Sequence, residues 1–200
     1  KTLKVEPSAR IAGHAQTVRE LSMKGAKVVV LAHQGRKGDY DCISLSQHSL
    51  FLGSEVKMQV KFVEDVCGDT AKQAIGSLQN GEILLLDNVR FLEDETTFKT
   101  IEENEAATLV RELSHLCDAF VLDAFSASHR AQASIVGFHK KPCFAGRVMQ
   151  HELEALSKLA SSKARPAVFI FGGAKPDDSI GIMSQWLSEG KVDVALTCGV

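Results

Sequence analysis

The segment EILLLDNVRF, residues 82–91, joins an uninterrupted apolar run to a polar turn. The run is short enough for a strand and apolar at every position, so both faces of that strand must be covered. Strands that are apolar on both faces and alternate with helices predict an α/β fold with three layers (αβα): a Rossmann-like parallel sheet between helices. Similar runs occur at VVVLA (28–32), VKFV (60–63), AFVL (119–122), AVFIF (167–171) and VDVALT (192–197).

Helices are predicted between several of these runs. Ser8 is placed to cap a helix whose apolar residues fall at helical spacing, and Gly25 follows as a stop signal. The segments DTAKQAIGSL (69–78) and NEAATLVRELSHL (104–116) have the same spacing. In the second segment the predicted apolar face consists of Ala107, Val110, Leu113 and Leu116.

The segment HELEALSKLASS, residues 151–162, also has a helical pattern, with Leu153, Leu156 and Leu159 on one face. Pro166 stands just before the next apolar run. The helix is either an ordinary crossover between strands or a connection between two lobes. Periodicity alone favours the crossover.

Composition excludes several classes of function. With 200 residues, of which 44% are hydrophobic, the chain can bury a core, expected as one domain plus part of another. The net charge of -2 gives no reason to expect nucleic acid, so an anion site needs a local cluster of cations. Five cysteines without a C-x-x-C pair predict reduced thiols and no zinc site. No apolar run reaches about 18 residues and no signal peptide is recognisable, so we expect a soluble, cytoplasmic protein without a membrane segment.

Three of the predicted strands are followed by an arginine, namely Arg36, Arg90 and Arg130. Because the carboxyl ends of parallel strands share one edge of a sheet, these side chains are expected to converge there. Several guanidinium forks suit a ligand that carries both phosphate and carboxylate. Arg10, near the start of the first helix, is a candidate fourth. The alternative is that each arginine is a solvated surface charge or pairs with a nearby carboxylate.

The loop FGGAKPDDS, residues 171–179, leaves a strand and enters a helical stretch. Gly172 and Gly173 allow a close approach of the backbone to a ligand, and Lys175 can meet a phosphate. A glycine-rich turn with a solvated lysine remains the alternative. Pro176 fits a first helical turn. The P-loop, dinucleotide, nucleophile-elbow and H-E-x-x-H motifs do not occur, which counts against P-loop kinases, dehydrogenases, α/β-hydrolases and zincins.

Four motifs occur along the chain: RIAGHAQTVRELSMKGAKVVVLAHQGR (10–36), GEILLLDNVRF (81–91), DAFSASHRAQAS (123–134) and VFIFGGAK (168–175). In this order and at these separations they resemble the phosphoglycerate kinase family. The amino-acid sequences HQGR (33–36) and GRVMQHELEALSK (146–158) are most similar to those of the archaeal branch of the family. The resemblance implies a phosphoglycerate kinase fold, present in part, and makes the helix from His151 the connection between lobes rather than a crossover.

The resemblance also implies roles for individual residues. Arg10 matches the family's catalytic arginine, and Lys175 lies in the loop that meets the nucleotide. His129 matches the histidine next to the basic patch. The residues implied for substrate are Arg10, His33, Gln34, Gly35, Arg36, Arg90, His129 and Arg130, and those implied for nucleotide are Gly173, Ala174 and Lys175, with no metal ligand in this chain.

By this resemblance the reaction is reversible phosphoryl transfer between 1,3-bisphosphoglycerate and ADP, giving 3-phosphoglycerate and ATP, with the nucleotide bound as Mg-ATP or Mg-ADP. Residues 1–149 would form the substrate lobe, 150–165 the connection and 166–200 the start of the nucleotide lobe. The chain would begin after the family's first strand and be inactive alone, as a monomer or homodimer. A non-catalytic anion-binding module of the same fold is the alternative.

Three positions depart from the family pattern. Leu122 stands where the family usually has Asn, Gln16 where it has Pro, and Ser179 where it has a second lysine. A single lysine in the nucleotide loop weakens a two-lysine phosphate clamp.

Overall fold

The computed structural model describes residues 3–172 and 176–198. The chain divides into two compact units, Lys1–Glu154 and Ala155–Val200. The boundary falls within the helix that starts at Arg147. In chain order the elements are α1 (Ala9–Met23), β1 (Val28–Val30), α2 (Ser46–Val56), β2 (Val60–Phe62), α3 (Asp69–Ser77), β3 (Ile83–Leu85), α4 (Ile101–Asn104), α5 (Thr108–Leu113), β4 (Phe120–Leu122), α6 (Ala133–Val136), β5 (Cys143–Ala145), α7 (Arg147–Ser161), β6 (Val168–Phe171), α8 (Pro176–Ser188) and β7 (Val194–Thr197).

Strand β3, from the run at 82–86, lies at the centre of a parallel sheet in the order β1, β3, β2. Leu84 pairs with Val29 on one side and Lys61 on the other. Ile83 packs with buried residues of α1 and α2, whereas Leu84 packs with buried residues of α3 and α5. Successive side chains of β3 therefore enter cores on opposite faces of the sheet. This confirms the predicted three-layer α/β architecture.

Each apolar run named above forms a strand, although every strand is shorter than its run. Strand β5, which pairs in parallel with β4, was not predicted. It spans three exposed residues directly after Pro142, so it lacks the apolar run that marked the other strands.

The first predicted helix is confirmed as α1, where the Ser8 side chain accepts from the Ile11 amide at 3.4 Å. The chain leaves this helix through Gly25 at φ +87°, a conformation that favours glycine. The prediction DTAKQAIGSL is confirmed as α3.

The prediction of one continuous helix over 104–116 is wrong. Helix α5 begins only at Thr108, whose amide and hydroxyl both donate to Asp94 Oδ2, at 2.7 and 2.8 Å. The preceding residues close the short helix α4, where buried Asn104 donates to the Thr100 carbonyl at 2.7 Å. After Leu113 the chain makes a 3₁₀ turn, which leaves Leu116 38% exposed instead of on an apolar face.

Helix α7 carries the predicted leucine stripe, and Leu153, Leu156 and Leu159 are each almost half exposed. In the second unit β6 and β7 pair in parallel, and Phe169 meets Trp186 edge to face at 5.0 Å. None of the helices in the described ranges combines the length and apolar character needed to cross a bilayer.

Candidate functional site

A cavity of about 320 Å³ lies in the first unit and brings together the three strand-end arginines. Arg36 and Arg90 follow β1 and β3 of one sheet, as expected from the shared edge of parallel strands, whereas Arg130 follows β4, which pairs with β5 in a separate parallel sheet. Its walls consist of Arg36, Arg90, Thr96, Phe98, Lys99, Arg130, Ala131 and Gln132.

Arg90 is the buried member of this set, with 9% of its surface exposed. It follows β3 in a 3₁₀ turn, where its amide donates to Asn88 Oδ1 at 3.1 Å. One guanidinium nitrogen donates weakly to Gln132 Oε1 at 3.4 Å, while the buried Nε has no partner among the described residues. A buried cation without a carboxylate partner is costly, so a bound anion would compensate it.

The HQGR turn is held against the end of β3 by Asn88. Asn88 Nδ2 donates to the Gln34 carbonyl at 2.8 Å, and its Oδ1 accepts from the Gln34 amide at 3.3 Å. Gly35 has φ +70°, and a Cβ there would lie 2.6 Å from the Cys42 amide nitrogen. The turn therefore requires glycine at position 35. The next residue, Arg36, lies in the cavity wall.

His33 and Arg10 are linked to the cluster electrostatically. Partial desolvation lowers the pKa of His33, and the positive charges of Arg90, Arg130 and Arg10 lower it further. The lowered pKa favours a neutral imidazole near pH 7, which adds no further positive charge to the arginines. Arg10 is exposed in the first turn of α1 and does not line the cavity.

His129 and Arg130 are both exposed and stand 3.5 Å apart, measured from Arg130 Nε to His129 Nε2. Only Arg130 contributes to the cavity wall. Its amide donates to the Ala127 carbonyl at 3.0 Å, which fixes the backbone of the strand-end loop. Of these two neighbouring residues, only Arg130 reaches the cavity. The geometry therefore supports a ligand contact for Arg130 rather than for His129.

The residues predicted to bind the nucleotide are not among the described residues that line the cavity. Gly173, Ala174 and Lys175 lie outside the described residues. Among those that are described, no group of three or more His, Cys, Asp or Glu side chains could hold a metal ion.

Sequence reasoning missed Thr96, Lys99 and Gln132, which also line the cavity. One signal was available: Thr100 and Glu103 follow Lys99 at capping-box spacing, and the structure forms that box at the start of α4. A helix predicted to start after Thr100 would have placed Lys99 at the end of the loop that follows Arg90.

Glu95 lies behind the cavity wall and is 1% exposed. Its carboxylate accepts from Ser134 Oγ at 2.6 Å and from the Ser134 amide at 3.2 Å, and its carbonyl accepts from the Ala133 amide at 3.1 Å. Burial raises the pKa of Glu95 to about 7, although the bonds from Ser134 and the charge of Arg90 oppose that shift. Glu95 thus ties the loop after β3 to the segment that carries Arg130.

This pKa predicts a pH dependence of stability. The ordinary pKa of Glu95 is 4.5, so between pH 4.5 and about 7 the folded chain keeps a proton that the unfolded chain releases. The free energy of unfolding should therefore fall with rising pH through this window, by about 3 kcal/mol for this one group. Urea unfolding of the parent and of Glu95→Gln across the window measures it. The stability of the parent relative to that of Glu95→Gln should fall as pH rises, and profiles that stay parallel would contradict the prediction.

Asp123, at the end of β4, connects α1 with the start of α7. Its Oδ2 accepts from Thr17 Oγ1 at 2.8 Å and lies 3.2 Å from His14 Nδ1. Its Oδ1 accepts from the amides of Val148 and Met149 at 2.9 and 3.2 Å. A carboxylate on these first free amides stabilises the beginning of a helix. Asp123 therefore organises the strand end from which the loop with Arg130 departs.

Comparison with known proteins agrees with this fold. The family model for phosphoglycerate kinase matches residues 1–200. The phosphoglycerate kinase of Methanothermobacter thermautotrophicus is 46% identical over 188 residues, which cover 94% of this chain and 46% of that protein. That of Thermoplasma acidophilum is 41% identical over 192 residues, 96% of this chain and 47% of the relative.

Among solved structures, the crystal structure of phosphoglycerate kinase from Pyrococcus horikoshii OT3 matches with a TM-score of 0.93 and 38% identity. The match covers 100% of this chain and 49% of that one. The chain thus spans about half the length of the relatives it matches, several of which are archaeal. The resemblance predicted from the motifs is confirmed: the chain belongs to the phosphoglycerate kinase family.

Proposed function

We propose that the protein transfers a phosphoryl group reversibly between 1,3-bisphosphoglycerate and ADP, and that the first unit binds 3-phosphoglycerate. The observation that carries this proposal is the buried guanidinium of Arg90, which opens on the cavity without a carboxylate partner in the described part of the chain. Such a cation is costly without a ligand and becomes favourable when an anion binds.

The charge and size of the cavity support this substrate. Arg36, Arg90 and Arg130 present several N–H donors, which suits one carboxylate and one phosphate on a short carbon chain. A volume of about 320 Å³ accommodates a three-carbon acid with its phosphate. The neutral form of His33 can add a hydrogen bond without more charge.

The proposed chemistry needs positioning rather than a nucleophile, because an acyl phosphate is already activated. We assign to Arg10 the stabilisation of negative charge on the transferring group, as its position in the family motif indicates. Gly173, Ala174 and Lys175 are assigned to the nucleotide, which the family uses with Mg²⁺. We assign no magnesium ligand within this chain. The cytoplasm is the proposed location, and the proposed partners are these small molecules.

The substrate assignment is tested by titrating the 200-residue chain with 3-phosphoglycerate in a calorimeter. Arg36→Ala and Arg130→Ala should each weaken binding by about 1–3 kcal/mol, because each removes a charged hydrogen-bond donor. Arg19→Ala is the matched control, since Arg19 is an exposed arginine of α1 outside the cavity wall. Unchanged affinity in both cavity variants would refute the assignment.

A coupled assay with ATP and 3-phosphoglycerate distinguishes the enzyme from a non-catalytic anion-binding module. This chain, which spans about half the length of its relatives, is expected to bind the substrate with little or no turnover. Robust turnover by this chain would exclude the module and contradict the expected inactivity.

A further inference from the structure

Lys99 occupies the wall of the cavity between Phe98 and the start of α4. Its own amide donates to Glu103 Oε2 at 3.0 Å, and the Thr100 amide donates to the same oxygen at 3.1 Å. The capping box therefore fixes the backbone from which the lysine side chain extends, while the ammonium group remains exposed.

The carboxylates of this acid-rich loop are engaged elsewhere. Glu93 pairs with Lys37, and Asp94 caps α5 through Thr108. The last acid of the run, Glu95, is bound by Ser134 behind the cavity wall. None of them forms an ion pair with the cations that line the cavity, although Arg90 and Glu95 interact at longer range.

Lys99 forms no ion pair within residues 3–172 and 176–198, and neither do the three arginines of the cavity. By contrast, Lys37, Lys61, Lys72 and Lys140 each pair with a carboxylate. The cavity thus carries four positive side chains that form no ion pair with a carboxylate in the described ranges. A ligand with two anionic groups, one of them able to carry two charges, matches this excess.

We propose that Lys99 is a further substrate-binding residue, which contacts the phosphate group of the ligand. This inference rests on the proposed function for the identity of the ligand. An ammonium is a compact point charge that suits a phosphate oxygen, whereas the planar forks of the arginines also match a carboxylate. Lys99 belongs to none of the four motifs that define the resemblance, so its role follows from the cavity alone.

The test compares Lys99→Gln with its parent, using two ligands that share the phosphate and differ at the other end. These are 3-phosphoglycerate and glycerol 3-phosphate, each titrated by calorimetry. Lys99→Gln should weaken both by the same factor, about 3- to 10-fold for a solvent-accessible charge contact. Lys99→Arg should recover most of the loss. Lys140→Gln, which removes an exposed lysine paired with Glu105 outside the cavity, should leave both affinities unchanged.

Equal affinity of Lys99→Gln and the parent for both ligands would overturn the inference. A loss confined to 3-phosphoglycerate would overturn it as well, because Lys99 would then serve the carboxylate. Inorganic phosphate separates this inference from the proposed function. If the parent binds phosphate more tightly than Lys99→Gln does but fails to bind 3-phosphoglycerate, Lys99 keeps its role and the proposed substrate is wrong. If the parent binds neither anion, both are overturned.

Discussion

Replacement of Arg90 by methionine is expected to weaken 3-phosphoglycerate binding by at least about 100-fold, since truncating one side of a buried charge contact costs about 3–5 kcal/mol. The same substitution should raise the stability of the ligand-free chain, by about 1–2 kcal/mol. Methionine fills a similar volume and removes a buried Nε that has no partner among the residues described. Affinity and stability should therefore change in opposite directions.

Calorimetry with 3-phosphoglycerate and thermal unfolding without ligand measure these two changes. Arg19→Met, on the exposed surface of α1, should alter neither. A normal dissociation constant in Arg90→Met would remove Arg90 from the site. A lower Tm of the ligand-free variant would instead show that the guanidinium supports the fold, through its bond to Gln132.

Asp123→Ala is expected to lower the free energy of unfolding by about 3–4 kcal/mol, among the largest effects for a single substitution. The change removes the acceptor for Thr17 Oγ1 and for the amides of Val148 and Met149. The side chain of Asp123 is only 15% exposed, so water replaces these bonds incompletely. The free amides at the start of α7 add the cost of a lost helix cap.

Urea unfolding of the first unit measures this effect. Asp123→Asn keeps one oxygen acceptor and should lose less stability than alanine does. Asp118→Ala is the matched control, because Asp118 is an exposed acid just before β4 whose carboxylate has no hydrogen-bond partner within the described segments. Equal midpoints for Asp123→Ala and Asp118→Ala would show that the Asp123 contacts contribute little.

The central part of the fold was predictable because β3 has an unambiguous pattern. A continuous apolar run requires cover on both faces, and the alternation of Ile83 and Leu84 between two cores satisfies that requirement. Arg36, Arg90 and Arg130 do line one cavity. The shared edge of parallel strands accounts for Arg36 and Arg90 but not for Arg130, because β4 pairs with β5 in a separate sheet. The roles of individual residues in binding and transfer stay predictions, and so does the division into substrate and nucleotide lobes.

The parts that sequence reasoning did not find depend on contacts between distant residues. Helix α5 begins at Thr108, whose amide donates to the carboxylate of Asp94, 14 residues earlier in the chain. The spacing of apolar residues gives no sign of this contact. The position of the cavity wall depends on the bond between Glu95 and Ser134, 39 residues apart. Such pairings follow from the fold and are not marked by a local pattern.

The network around Asp123 also constrains when the first unit can finish folding during synthesis. Thr17 Oγ1 accepts from the Arg147 amide, 130 residues later in the chain, and Glu20 pairs with the guanidinium of the same arginine. At about 5–20 residues per second, Thr17 is synthesised roughly 6 to 26 s before Arg147. For that interval the helix that carries Arg10 lacks its polar contacts with Arg147, so the first unit cannot complete its native hydrogen bonds before that residue is made.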